Sequence, residues 1–161
     1  MKARDAKPVL LLDVDGVLNV IRDAETQARA IRLPNKVTFY PLPVSKRFLR
    51  WAWKHFDVRW LTSWFSGANL IAEWASLPPR PAFCDRSGPG DWKFNQVRDS
   101  FKDHKGKVVW IEDGIVKEAQ AWVDERPNVK YIHTDTFTGI TQEQILEVAK
   151  FIGVSWYEQE G

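Results

Sequence analysis

The stretch Val9-Leu10-Leu11-Leu12-Asp13-Val14-Asp15-Gly16-Val17-Leu18-Asn19 constrains the fold more than any other, because a continuous apolar run ends there in two aspartates flanking one valine. An apolar run without polar alternation suits a strand covered on both faces, as in the central strands of parallel α/β sheets. Gly16 then permits a sharp turn and a close approach of backbone to ligand. Ligands of open α/β sheets lie outside the carboxyl ends of the strands, which is where Asp13 and Asp15 fall. A bare Asp-x-Asp often marks only a solvated turn. The apolar run before this one and the Gly-Val-Leu-Asn after it set it apart.

The rest of the chain supplies the partners such a strand needs. Residues 20–43 show no helical period, and Ala28 to Leu33 with Val37 to Tyr40, around Pro34-Asn35, predict a short hairpin closed by Pro41 and Pro43. Apolar spacing predicts helices over 45–55 and 67–77, a third from Lys93 carrying Phe94, Val97 and Phe101, and a fourth carrying Ile115, Ala119, Trp122 and Val123. Thr141 to Gln144 offers a capping box for a last helix with Ile145, Val148, Ala149 and Ile152 on its buried stripe. Strands are expected at 58–61, at 81–84, at 107–111 and at 129–133. Alternation of strand and helix throughout predicts an α/β fold, one doubly wound parallel sheet in a single domain over 1–161.

A chain of 161 residues can bury a core without covalent staples, and Cys84, the one cysteine, excludes both a disulfide framework and a cysteine-based zinc site. Cys84 is read as structural. No signal-peptide pattern opens the chain, and the apolar run at residues 9–12 is too short to span a bilayer, so a soluble cytoplasmic protein is expected.

Three expected strands end in polar residues: Asp13 with Asp15, Thr62-Ser63, and Glu112-Asp113. In a parallel sheet these ends share one edge, and Lys93, entering from a Gly-Pro-Gly loop, can reach the same place. The set is complete for phosphoryl transfer. Asp13 would be the nucleophile, forming an aspartyl-phosphate that splits hydrolysis into two easier steps. Asp13 and Asp113 would hold Mg²⁺, and Thr62 and Lys93 would stabilise the phosphoryl oxygens. Asp15, on the same side of the strand as Asp13, would protonate the leaving oxygen and later deprotonate water. Taken singly, Thr62 and Ser63 would be explained by helix capping, Lys93 by solvation, and Glu112-Asp113 by the dipole of the next helix. Four such coincidences in this order on alternating strands are improbable.

These residues, in this order, resemble the four motifs of the haloacid dehalogenase-like (HAD) superfamily, and the resemblance covers nearly the whole chain. It implies a HAD-like Rossmannoid core and a Mg²⁺-dependent phosphatase, a phosphoric monoester hydrolase. Asp13 maps onto the nucleophile and metal ligand, and Asp15 onto the acid/base that also binds the metal through its backbone carbonyl. Thr62 maps onto the second motif, with Ser63 the lesser choice. Lys93 maps onto the third, which Lys102 and Lys105 fit less well. The fourth motif places a metal ligand at Asp113, with Glu112, where an aspartate is common, as its orienting partner. The presence of Asp15 argues against dehalogenase chemistry. The alternative is a non-catalytic phosphate- or nucleic-acid-binding protein that keeps the fold, and no motif is missing to support it.

Both points at which HAD caps are inserted are short here, which implies a minimal (C0-type) cap with the hairpin at about 20–43 as a flap. An open site of this kind implies either a macromolecular phosphate ester or closure by a partner subunit, as in a homo-oligomer. Between Arg22 and Arg50 seven basic residues face two acids, while the whole chain carries only +2. Such a segment suits a polyanionic substrate, a nucleotide or a nucleic-acid end, although charge runs also serve only as solvated faces. Arg29, Arg32 and Lys36 are the expected phosphate contacts of the flap, and Ser63 and Trp64 the expected substrate contacts beside Thr62. Trp64, Phe65 or Trp92 would be available to stack on a base. Most of the other tryptophans, Trp51, Trp53, Trp60, Trp74, Trp110 and Trp122 among them, are read as packing residues.

Overall fold

In the computed structural model, which describes residues 6–156, the strand read from residues 9–12 is β1 (Val9–Leu12), and all four of its residues are buried. Alternate side chains leave it in opposite directions. Leu10 and Leu12 enter one apolar cluster, while Val9 and Leu11 enter another. That division is what a strand covered on both faces requires.

The remaining elements, in chain order, are α1 (Ala24–Ala28), β2 (Ile31–Arg32), β3 (Thr38–Phe39), α2 (Ser45–His55), β4 (Asp57–Trp60), α3 (Asn69–Trp74), α4 (Trp92–Phe101), β5 (Val108–Glu112), α5 (Lys117–Asp124), β6 (Val129–His133) and α6 (Gln142–Ile152). The main sheet runs β4-β1-β5-β6 with every pairing parallel. Phe48, Leu49 and Ala52 of α2 and Ile145, Val148 and Ala149 of α6 cover the face of Leu10 and Leu12. Phe94, Val97 and Phe101 of α4 and Ala119, Trp122 and Val123 of α5 cover the other face. The result is a three-layer α/β fold. Because the chain leaves β1 to one side for β4 and returns on the other side for β5, the topological switch point lies at the carboxyl end of β1.

Two expectations for the connections need correction. The strand expected at 81–84 is reduced to one bridge, Ala82 beside Trp60, held by Trp60 N–H to Pro81 O at 3.0 Å and Phe83 N–H to Trp60 O at 2.7 Å. Pro78, Pro79 and Pro81 lack the N–H donors that a longer ladder would use. The main sheet therefore has four strands. Within 20–43, where no helix was expected, Asp23 and Thr26 form a reciprocal capping box that starts the short α1. Five residues are too few to show a period. The hairpin itself is present as β2 and β3, antiparallel, with Ile31 opposite Phe39.

The capping box at α6 forms as its sequence implies, with Gln144 N–H donating to Thr141 Oγ1 at 3.2 Å. Trp51, Trp53, Trp60, Trp110 and Trp122 are buried in the two clusters, and Trp74 is packed against one of them. No helix among the described residues is long and apolar enough to cross a membrane.

Candidate active site

Asp13 follows directly on β1, pinned by its own N–H to Ile111 O at 3.2 Å, while Leu61 N–H bonds Leu12 O at 2.9 Å on the other side. The residue is 5% exposed, and Oδ1 accepts the Val14 N–H at 2.8 Å. The other oxygen lies 3.3 Å from Lys93 Nζ, so a lysine delivered by the first turn of α4 meets the end of β1. Lys93 also donates to both oxygens of Glu112, at 2.8 and 3.1 Å. Burial alone would lower the Lys93 pKa, but Asp13 and Glu112 outweigh it and hold the ammonium above its ordinary value.

Glu112 ends β5 and is 4% exposed. Burial, reinforced by the hydrogen bond and charge of Asp13, pushes its carboxyl up to about 9 against the lowering pull of Lys93. One lysine does not balance the carboxylates gathered here. Ligand oxygens of Asp13, Glu112 and Asp113 all lie within 4.8 Å of one another. Three hard oxygen donors with excess negative charge fit a hard divalent cation such as Mg²⁺. Asp113 is the least buried of the three, and its Oδ2 accepts from Thr136 Oγ1 at 3.0 Å. Gly16, at φ +77°, faces this group, and a Cβ there would overlap the Asp113 carboxylate. Glycine at this position is therefore a requirement of the site as well as of the turn.

Asp15 is exposed, and both of its oxygens are held. Asn19 Nδ2 donates to Oδ1 at 2.8 Å, and the Trp64 indole N–H donates to Oδ2 at 3.1 Å. Thr62 is 2% exposed at the end of β4, and its Oγ1 accepts the Trp64 backbone N–H at 3.2 Å. Its hydroxyl proton is thereby left for another acceptor. Trp64 thus touches two of the candidate catalytic residues, one through its backbone and one through its indole. Ser63 beside it is exposed.

The structure brings Asp13, Lys93, Glu112 and Asp113 together at one sheet edge, with Asp15 reached through Trp64. It does not bring the flap cations to the same place. A crevice of about 470 Å³ between the hairpin and the Trp64 turn is bordered by Asp15, Asn19, Asn35, Thr38, Ser63 and Trp64. None of Arg29, Arg32 and Lys36 lines it. Arg29 instead donates to Pro41 O at 3.1 Å and lies 3.5 Å from Glu25, while Arg32 and Lys36 are exposed.

Three contributors escaped the sequence reading. Asn19 and Thr136 orient Asp15 and Asp113, and Thr134, fully buried, donates to Gly16 O at 2.7 Å and fixes the turn after β1. Thr134 and Thr136 follow β6, so the strand-end rule that located the other residues would have pointed to them as well.

A family model described as the HAD domain in Swiss Army Knife RNA repair proteins matches residues 9–145, most of the chain. No curated protein matches, and no solved structure matches.

Proposed function

The chain belongs to the HAD-like superfamily, within the family of HAD domains of Swiss Army Knife RNA repair proteins, and from that premise we propose that it is a Mg²⁺-dependent phosphomonoester hydrolase acting on terminal phosphates of RNA. One observation carries the reading: a buried carboxylate, Asp13, stands at the switch point 3.3 Å from the Lys93 ammonium, inside a cluster of three carboxylates.

Asp13 Oδ attacks phosphorus, and the bond from phosphorus to the leaving oxygen breaks as that oxygen takes a proton from Asp15. Water then attacks the phosphoryl group with Asp15 accepting its proton; the bond to Asp13 breaks, and inorganic phosphate leaves. Lys93 and the Thr62 hydroxyl stabilise the charge that collects on the phosphoryl oxygens. Asp13, Asp113 and the Asp15 carbonyl would hold Mg²⁺, which when bound neutralises the charge of the phosphate. Glu112 keeps Lys93 in place between the strands.

The test is release of phosphate from oligoribonucleotides bearing a 5′- or 3′-terminal phosphate, and from an aryl phosphate, with and without Mg²⁺. Release that needs both Mg²⁺ and Asp13 supports the reading. Tight binding of RNA ends with no turnover of any ester would favour the non-catalytic alternative.

A further inference from the structure

Two cavities border the catalytic carboxylates, and they differ in kind. One, of about 400 Å³, lies behind Glu112 and Lys93, between the start of α4 and the loop after β5. The other is the crevice of about 470 Å³ beside Asp15. The leaving oxygen must meet Asp15, so the rest of the leaving group extends into the second. That crevice contains one carboxylate and no lysine or arginine. A polyphosphate or a run of phosphodiesters placed there would set negative charge against Asp15 with no basic side chain among the lining residues to offset it, although Lys36 follows the lining residue Asn35 on the hairpin tip. What it does offer is the side-chain amide of Asn35, hydroxyls of Thr38 and Ser63, and the indole of Trp64. The indole is fixed by its bond to Asp15 and by Phe39 packed T-shaped at 6.5 Å. A rigid aromatic wall with neutral donors and acceptors around it matches a heteroaromatic base on a sugar.

We propose that this crevice is the leaving-group site and takes the nucleoside of the terminal nucleotide, selected by Asn35, Thr38 and Trp64 through neutral contacts and not by the basic flap. The proposal rests on the phosphomonoesterase reading and names the part of the substrate that Asp15 releases. Asn35 lies in the hairpin tip and Thr38 begins β3, so the flap acts as the specificity wall while its arginines stay outside.

The experiment compares adenosine monophosphate, as its 5′ and 3′ isomers, with p-nitrophenyl phosphate. Asn35→Ala with Thr38→Val should raise KM for the preferred nucleotide about five- to tenfold, the cost of losing hydrogen bonds to a neutral ligand, and leave the aryl phosphate within about twofold. Gly67→Leu gives an independent check, because Gly67 borders the crevice and a Cβ added there meets no atom within 4 Å. It should act in the same direction by filling space. Unphosphorylated adenosine should compete with the aryl phosphate in the wild-type protein and lose that ability in Gly67→Leu. Equal effects on both esters, or no competition by adenosine, would overturn the proposal. If the wild-type protein hydrolyses no ester at all, the functional reading fails by itself. The crevice is then judged on the Trp64 indole N–H resonance, assigned with Trp64→Phe. A shift on adding adenosine that Gly67→Leu abolishes supports the site, and an unmoved resonance overturns it.

Discussion

The carboxyl end of β1 and the flap that follows it are joined by a few residues but are built on opposite terms. At the end of β1 the backbone is bonded to a neighbouring strand on each side, and the charged side chains that gather there come from the ends of two strands and from a helix. The flap has two strands of two residues each, one short helix, and a few ties back to the core, such as Tyr40 N–H to Asn19 Oδ1 at 2.8 Å and Arg29 to Pro41 O. The sheet holds Asp13, Glu112 and Asp113, while Asp15 is tied to the flap through Asn19, which also accepts the Tyr40 N–H, and through the Trp64 indole, on which Phe39 packs. Selectivity can therefore change on the flap while the buried carboxylates stay in place, which is the general division between a rigid scaffold and its loops.

The strongest way to break that division is at Asp13. Asp13→Asn is nearly isosteric, keeps an oxygen to accept the Val14 N–H, and removes the proposed nucleophile. Turnover of every ester should fall by at least about 10³-fold, as when a nucleophile is removed elsewhere, with the melting transition retained. Retention of most of the wild-type kcat would refute the covalent mechanism.

Lys93→Met probes the balance of charge instead. It leaves Asp13 and Glu112 buried without their cation, and breaking a buried pair costs about 3–5 kcal/mol, here at the lower end because Lys93 keeps partial access to water. Adding Glu112→Gln should recover part of that loss in thermal or urea unfolding. Strict additivity of the two substitutions would show that the pair is not an energetic unit. The flap should unfold no earlier in either variant.

How far the sequence revealed this division depends on burial. β1 was legible because burial on both faces leaves an uninterrupted apolar run, and the α6 cap was legible because its two bonds join residues three apart. The strand-end rule then pointed to Asp13, Glu112 and Asp113 at one edge, and the Gly-Pro-Gly loop to Lys93 at the start of α4. It could not show that the Trp64 indole reaches Asp15 across 49 positions, because partners in space leave no local trace. The Pro81 segment makes one bridge instead of a strand because Pro78, Pro79 and Pro81 bring no N–H donors to a ladder. On the flap, the density of arginines was visible but their direction was not. Arg29 turns back to a carbonyl of its own loop, which charge patterning does not record.

Metal affinity should follow the same geometry in a smaller range. Asp113→Ala removes one of the proposed hard oxygen ligands and should raise the Mg²⁺ concentration for half-maximal activity about 10–100-fold, while Thr136→Val, which removes only the hydroxyl that orients Asp113, should fall at about tenfold. Glu112→Ala should shift the requirement less than Asp113→Ala, since Glu112 is already engaged by Lys93. A Mg²⁺ titration in which Glu112→Ala is the more severe would exchange the roles of the two acids.

The smallest effect is expected where the sequence placed the most charge. Arg32 and Lys36 are exposed and do not line the crevice, so on the proposal above they contribute through backbone phosphates and not through the terminal nucleoside. Lys36 sits at φ +68°, a left-handed conformation that asparagine tolerates better than serine, so the informative variant is Arg32→Ser with Lys36→Asn. For an oligoribonucleotide this pair should raise KM by no more than about threefold at moderate salt, and lower the slope of log KM against log salt by at most about 1.4, the yield of two single-strand phosphate contacts. Adenosine monophosphate, too short to reach either residue, should be unaffected. Arg29→Ser is a separate case, because it removes a tie of the flap to Pro41 and should disturb the nucleotide and the oligonucleotide alike. A large, salt-dependent loss confined to the oligonucleotide in the Arg32/Lys36 variant would move the source of selectivity from the neutral crevice to the basic surface.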